Sequence, residues 1–161
     1  MTACDGQSIT QARANEHKVE RNDMPLTLTL TEGVLPAGTE NQAIEELTKS
    51  MLERHGLTGN SVMTPNITAT LHVLPKNQTF SGGKPFSGAW VEWKVPSFAF
   101  ADRGVQQGFF DDATDIIEKL SGNKQPRNQI YVNVVHAVDG AWNLDGKAMT
   151  NEELGQAIQQ G

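Results

Sequence analysis

At 161 residues, with 37% hydrophobic and 20% charged side chains, the chain has material for one domain with a hydrophobic core, or for two small repeated halves. A net charge of −6 and the lack of any basic run argue against a nucleic-acid partner and against an electrostatic membrane tether. A single cysteine, Cys4, excludes an intrachain disulfide and a thiolate metal cage. No apolar stretch approaches the ~18 residues of a membrane span, and residues 1–23 lack the apolar core of a secretory leader. The default reading is a soluble cytoplasmic protein with no cofactor and no metal.

Residues 1–23 carry only Ile9 and Val19 as sizeable aliphatics and read as an extension, a mobile arm or an upstream piece of gene model. The pattern changes at Met24-Pro25. Leu26, Leu28 and Leu30 alternate with Thr27, Thr29 and Thr31, which predicts a strand. After a Gly- and Pro-rich loop, Thr39 with Gln42 matches a capping box, and Ala43, Ile44, Leu47, Met51 and Leu52 keep helical spacing up to Gly56. Ile67, Ala69, Leu71 and Val73 alternate with polar residues in a second strand that Pro75 closes. Residues 24–83 therefore form one β-α-β unit.

The same order then recurs over 84–161. Ala89, Val91, Trp93 and Val95 mark a third strand, and Asp102 caps a second helix with the apolar face Val105, Phe109, Phe110, Ala113, Ile116, Ile117 and Leu120. Gly122 stops that helix, and Ile130, Val132 and Val134 mark a fourth strand. Leu26 to Ala89 and Ile67 to Ile130 are equal separations, so the architecture reads as a duplication. Asp139-Gly140 and Asp145-Gly146 bracket a short hairpin, and Asn151 can cap a last helix, Glu152 to Ile158. The fold class is α+β: a four-stranded mixed sheet, two helices on one face, and an uncovered opposite face that an oligomer would cover.

A Met-Pro start running into a strand, followed by two β-α-β units, resembles the tautomerase superfamily. The resemblance is to its long branch, which includes cis-chloroacrylate dehalogenase and related oxalocrotonate tautomerase-like proteins. It rests on Pro25-Leu26-Thr27-Leu28, the Gly56-Leu57-Thr58-Gly59 turn and the Gly82-Gly83 connection. The resemblance implies a homotrimer, and an amino-terminal proline as general base acting on a small carboxylate-bearing substrate. The chemistry is direct, because an α-amino group titrates near pH 8, and burial or a neighbouring cation lowers that further. Within this chain, however, the nitrogen of Pro25 is a tertiary amide and cannot take up a proton. Catalysis requires a start at Met24 or a cut before Pro25.

The relatives' arginine pair aligns with Pro96 and Ala99 and is missing; Arg103 sits a few residues on as a substitute anchor. The relatives' helix-end histidine aligns with Arg54, with His55 beside it, and their strand-four tyrosine with Asn133. Trp142 is a candidate pocket wall. The substrate-binding candidates are thus Arg103, Arg54, His55, Asn133 and Trp142, with Pro25 catalytic. Each also has an ordinary structural reading: Arg54 and His55 suit a helix C-terminus, and Arg103 a solvated first turn. No counterpart of the relatives' water-activating glutamate is evident, which disfavours hydrolytic dehalogenation. Three readings follow: an isomerase conditional on a free Pro25, a non-catalytic trimeric scaffold or binding protein, and a ferredoxin-like regulatory domain.

Overall fold

A computed structural model describes residues 24–161; residues 1–23, including the expected extension and Cys4, lie outside the described residues. Strand β1 (Leu26–Thr31) and strand β5 (Ala89–Pro96) pair antiparallel at the centre of a four-stranded sheet. Strand β2 (Ala69–Leu74) lies parallel to β1 on one edge, and strand β6 (Ile130–Ala137) parallel to β5 on the other, giving the order β2-β1-β5-β6. This is the expected mixed sheet, with each β-α-β unit contributing one parallel pair.

The alternation in the sequence decides which face is buried. Leu26, Leu28 and Leu30 of β1 and Ala89, Val91, Trp93 and Val95 of β5 all point to one side and are buried. Helix α1 (Glu40–Arg54) brings Ala43, Leu47 and Met51 to that side, and helix α2 (Arg103–Leu120) brings Phe109, Ala113 and Ile117. Phe109 packs edge-on against Trp93 (6.1 Å) and Phe100 (5.4 Å) at the centre of the core. Phe110, counted by its spacing in the apolar face, is 37% exposed instead. Consecutive helical positions diverge by about 100°, so only one of the two phenylalanines can face the sheet.

Several local expectations need correction. Thr39 is already in helical geometry, and its hydroxyl donates to the Pro36 carbonyl at 2.8 Å; the amide of Gly38 bonds the Glu40 carboxylate instead. Gln42 turns to Glu46. The cap of the last helix, α3 (Asn151–Gln159), is Thr150, one residue earlier than expected, in a reciprocal capping box with Glu153. Asn151 bonds Ser97, and its amide donates to Asp139. The second strand begins at Ala69 because Thr64–Asn66 forms a short 3₁₀ turn started by Pro65. The Gly-rich connection contains a small hairpin, β3 (Phe80–Ser81) with β4 (Lys84–Pro85), turning on Gly82-Gly83.

The face away from the helices is open. Trp90 stacks on Tyr131, 5.8 Å between rings at 16°, with Phe86 6.2 Å from both. Beyond them Val135 is 47% exposed. At one end of this face a hairpin, β7 (Trp142–Leu144) with β8 (Lys147–Met149), supplies partial cover. Its turn is Asp145-Gly146, both at positive φ, which is the two-residue geometry that matches strand twist.

Candidate active site at Pro25 and neighbouring clefts

Strand register builds the Pro25 site. Leu26 pairs with Trp93, so the residues one step outward, Pro25 and Lys94, share the open face; the Lys94 amide donates to the Pro25 carbonyl at 3.0 Å. Lys94 in turn lies opposite Val135 on β6. With Ala141, Trp142 and Asn143 from the hairpin, these residues enclose a pocket of about 360 Å³. Its size suits a small molecule. Trp142 is buried and its indole Nε1 has no hydrogen-bond partner among the described residues. The Lys94 ammonium is more than half exposed, with the Glu92 carboxylate 4.0 Å away. Among the described residues no carboxylate lines this pocket.

Immediately upstream, Met24 is 4% exposed and its amide donates to the Asn66 carbonyl at 2.6 Å. Its side chain belongs to the core cluster. The bond that would have to be cut to free the proline nitrogen therefore follows a packed residue.

The other candidates go elsewhere. Arg54, expected near Pro25, crosses instead to α2: Nε and Nη2 each donate to Asp112 at 2.7 Å, and Ser50 donates to the same carboxylate. The guanidinium lies over Gly108, where a Cβ would come within 2.5 Å of it, which explains a glycine inside a helix. This interhelix groove has a volume of about 750 Å³, but its Arg54 and Asp112 charges are mutually satisfied. Asp112 is held below the usual carboxylate range by the Arg54 hydrogen bonds.

His55 faces inward. Its Nδ1–H donates to the Met51 carbonyl at 2.9 Å, its Nε2 is buried without a partner among the described residues, and its ring meets Phe100 edge-on at 4.6 Å. Burial pushes its ionisation below the ordinary histidine value. The unfolded chain then binds a proton that the folded chain refuses, so stability is full above pH ~6.5 and falls as the pH drops below it. A urea midpoint that decreases from pH 7 to 5.5 in the native chain, and decreases less in His55→Leu, is the expected result. Asp112 adds its own acid sensitivity only below the carboxylate range, near pH ~4.

Arg103 and Asn133 line a third cleft of about 720 Å³, between α2 and the outer edge of β6, in which neither Pro25 nor Trp142 takes part. The chain thus brings Pro25 and Trp142 together and separates Arg103, Asn133, Arg54 and His55 from them. Lys94 was missed by the sequence reading, although its outward position in the third strand was visible there. What was missing was the antiparallel register that puts it beside Pro25. His136 lines both this third cleft and the Pro25 pocket.

No family model and no curated protein matches the sequence. Solved structures do. Pt0534, in a form inactivated by 2-oxo-3-pentynoate, superposes with a TM-score of 0.64 at 16% identity, over 81% of this chain and 98% of its own. A fused 4-OT that forms a symmetric trimer gives 0.63 at 10% identity, over 81% and 98%. N1, a member of the cis-3-chloroacrylic acid dehalogenase family, gives 0.63 at 12%, over 84% and 96%. The chain has the tautomerase-like fold. At these identities the likeness speaks to architecture: the duplicated β-α-β unit inferred from spacing is the arrangement these neighbours share. Among the described residues no helix is long and apolar enough to cross a membrane.

Proposed function

We propose that this protein is a tautomerase-like isomerase that moves a proton between oxygen and carbon in the keto–enol pair of a small 2-oxo carboxylate. The observation that carries the proposal is the pocket in which Pro25 and Lys94 lie side by side under Trp142. Once residues 1–24 are removed, the Pro25 nitrogen is a secondary amine. It takes the proton from the enol hydroxyl and returns it to the adjacent carbon, leaving the ketone. Lys94 holds the substrate carboxylate, the task the sequence had offered to Arg103 or Arg54, and its positive charge favours the neutral, basic form of the amine. The inactivation of the Pt0534 neighbour by 2-oxo-3-pentynoate supports a 2-oxo acid as the ligand class. Among the described residues the pocket lining holds no carboxylate to activate a water, which favours the isomerase reading over hydrolytic dehalogenation.

In a chain beginning at Pro25, Lys94→Gln raises KM for phenylenolpyruvate by about tenfold, the loss of one charge-assisted contact. The acidic limb of its kcat/KM profile moves to higher pH, because the amine no longer feels a neighbouring cation. An unchanged KM together with an unchanged limb would remove Lys94 from the mechanism.

We further propose a homotrimer in which a neighbouring subunit covers the face bearing Trp90, Tyr131 and Val135; the trimeric fused 4-OT neighbour supports this. Sedimentation equilibrium returning three times the chain mass is the expected result, and a monomer contradicts it. A second reading, a binding protein that never frees the proline, is favoured by the burial and hydrogen bond of Met24. The two readings differ in the amino terminus of the native protein.

A further inference from the structure

The cleft between α2 and the edge strand β6 has features of a ligand site that the Pro25 chemistry does not use. Of the arginines at 54, 103 and 127, Arg54 is locked to Asp112, and Arg127 bonds Asp115 and Glu118. Among the described residues Arg103 has no carboxylate within ion-pair distance; its Nη1 donates to Gln106 Oε1 at 2.9 Å. Gln106 is itself fixed, donating from Nε2 to the Phe100 carbonyl at 2.6 Å. The next carbonyl back, that of Ala99, accepts from His136 Nε2 at 2.9 Å.

Two side chains of the cleft therefore pin the loop before α2, and Phe100 is held there at φ +58°, an unfavourable backbone state for a non-glycine residue. Strain of this kind persists where the surroundings over-determine it, as in ligand clamps. The guanidinium is thus presented on a stiff relay instead of on a free side chain, which lowers the ordering cost of binding. Phe110, Val132 and Val134 add apolar surface to the lining, with Phe110 37% exposed. The volume, about 720 Å³, exceeds what a compact acid fills and falls within the range of small-molecule sites. Asp111, the carboxylate among the described lining residues, makes no bond to Arg103 and disfavours a second anionic group in the cleft.

We infer that this cleft is a second binding site, separate from the Pro25 pocket, for a monocarboxylate with an aromatic or branched apolar body. The carboxylate pairs with Arg103 and the body lies against Phe110 and Val134. His136, shared by the two linings, is the wall between the sites. Because the described lining of the cleft does not include Pro25, the inference does not depend on the isomerase reading.

The test is a ¹H–¹⁵N NMR titration of the full chain with 3-phenylpropionate, repeated with 3-phenylpropan-1-ol. Saturable shifts at the Gln106 and Gln107 side-chain amides and at Val134 are expected. Arg103→Gln should weaken binding about tenfold or more, and the alcohol should bind weaker by a similar factor, since a charge-assisted pair is lost in each case. Lys94→Gln should leave the affinity within about twofold, because it lies in the other pocket. Arg103 and Phe110 are both exposed, so Arg103→Gln and Phe110→Ser should fold, and Phe110→Ser should also weaken binding. Shifts confined to Lys94, Trp142 and Asn143, equal affinity for acid and alcohol, undiminished binding by Arg103→Gln, or no saturation in the millimolar range would each overturn the inference.

Discussion

A chain that begins at Pro25 converts phenylenolpyruvate to phenylpyruvate about 10²–10⁴-fold faster than the full 161-residue chain, the range that one positioned general base contributes. The difference is one of bonding, since the nitrogen carries a basic lone pair in the first and is an acylated amide in the second. Pro25→Ala in the shortened chain also loses rate, because a primary amine on a freely rotating terminus is not held against the substrate as the pyrrolidine nitrogen is. Equal rates for the shortened and full chains would mean that the proline nitrogen is not the base. The shortening has a cost elsewhere. Met24 is buried and its amide is paired, and truncating a buried methionine typically costs about 2–5 kcal/mol. The shortened chain should therefore melt below the full one, and a bound carboxylate should recover part of the loss.

Phe109→Ala lowers the unfolding free energy by about 3–5 kcal/mol, the usual penalty for emptying a buried aromatic site. Phe109 is fully buried and touches the two aromatic residues that join the layers, Trp93 on the central strand and Phe100 on the loop before α2. Removing it opens a cavity between sheet and helix and frees the loop that carries the cleft around Arg103. Phe110→Ala, one position on, is close to neutral for stability because that ring is partly in solvent. Urea denaturation of both variants separates the two. Equal losses would mean that the helix is rotated relative to the arrangement described here.

The architecture was largely legible because both of its periods are strong. Leu26, Leu28 and Leu30 and the later set Ala89, Val91, Trp93 and Val95 each declare a strand with one buried face. Glycines at 56 and 122, both at positive φ, mark where the two long helices stop. Cap identity was less legible, since Thr39 and Asn151 have capping chemistry but the backbone sets the cap one residue away or closes it with another side chain. Of the residues that line the proposed pocket, only Pro25 and Trp142 were singled out from the sequence. Arg54 looked like a free cation at a helix end; its partner Asp112 lies on the other helix, a pairing that local sequence does not encode. Lys94 is the converse case, an ordinary outward strand residue until the antiparallel register sets it beside Pro25.

The central claim is that the nitrogen of Pro25 is free in the working protein. Intact-mass and amino-terminal sequence analysis of the protein purified from its own host tests it without any assay. The isomerase reading predicts a chain that begins at Pro25. A chain that begins at residue 1 or 2 contradicts it, leaving a tautomerase-like fold that binds without proline catalysis.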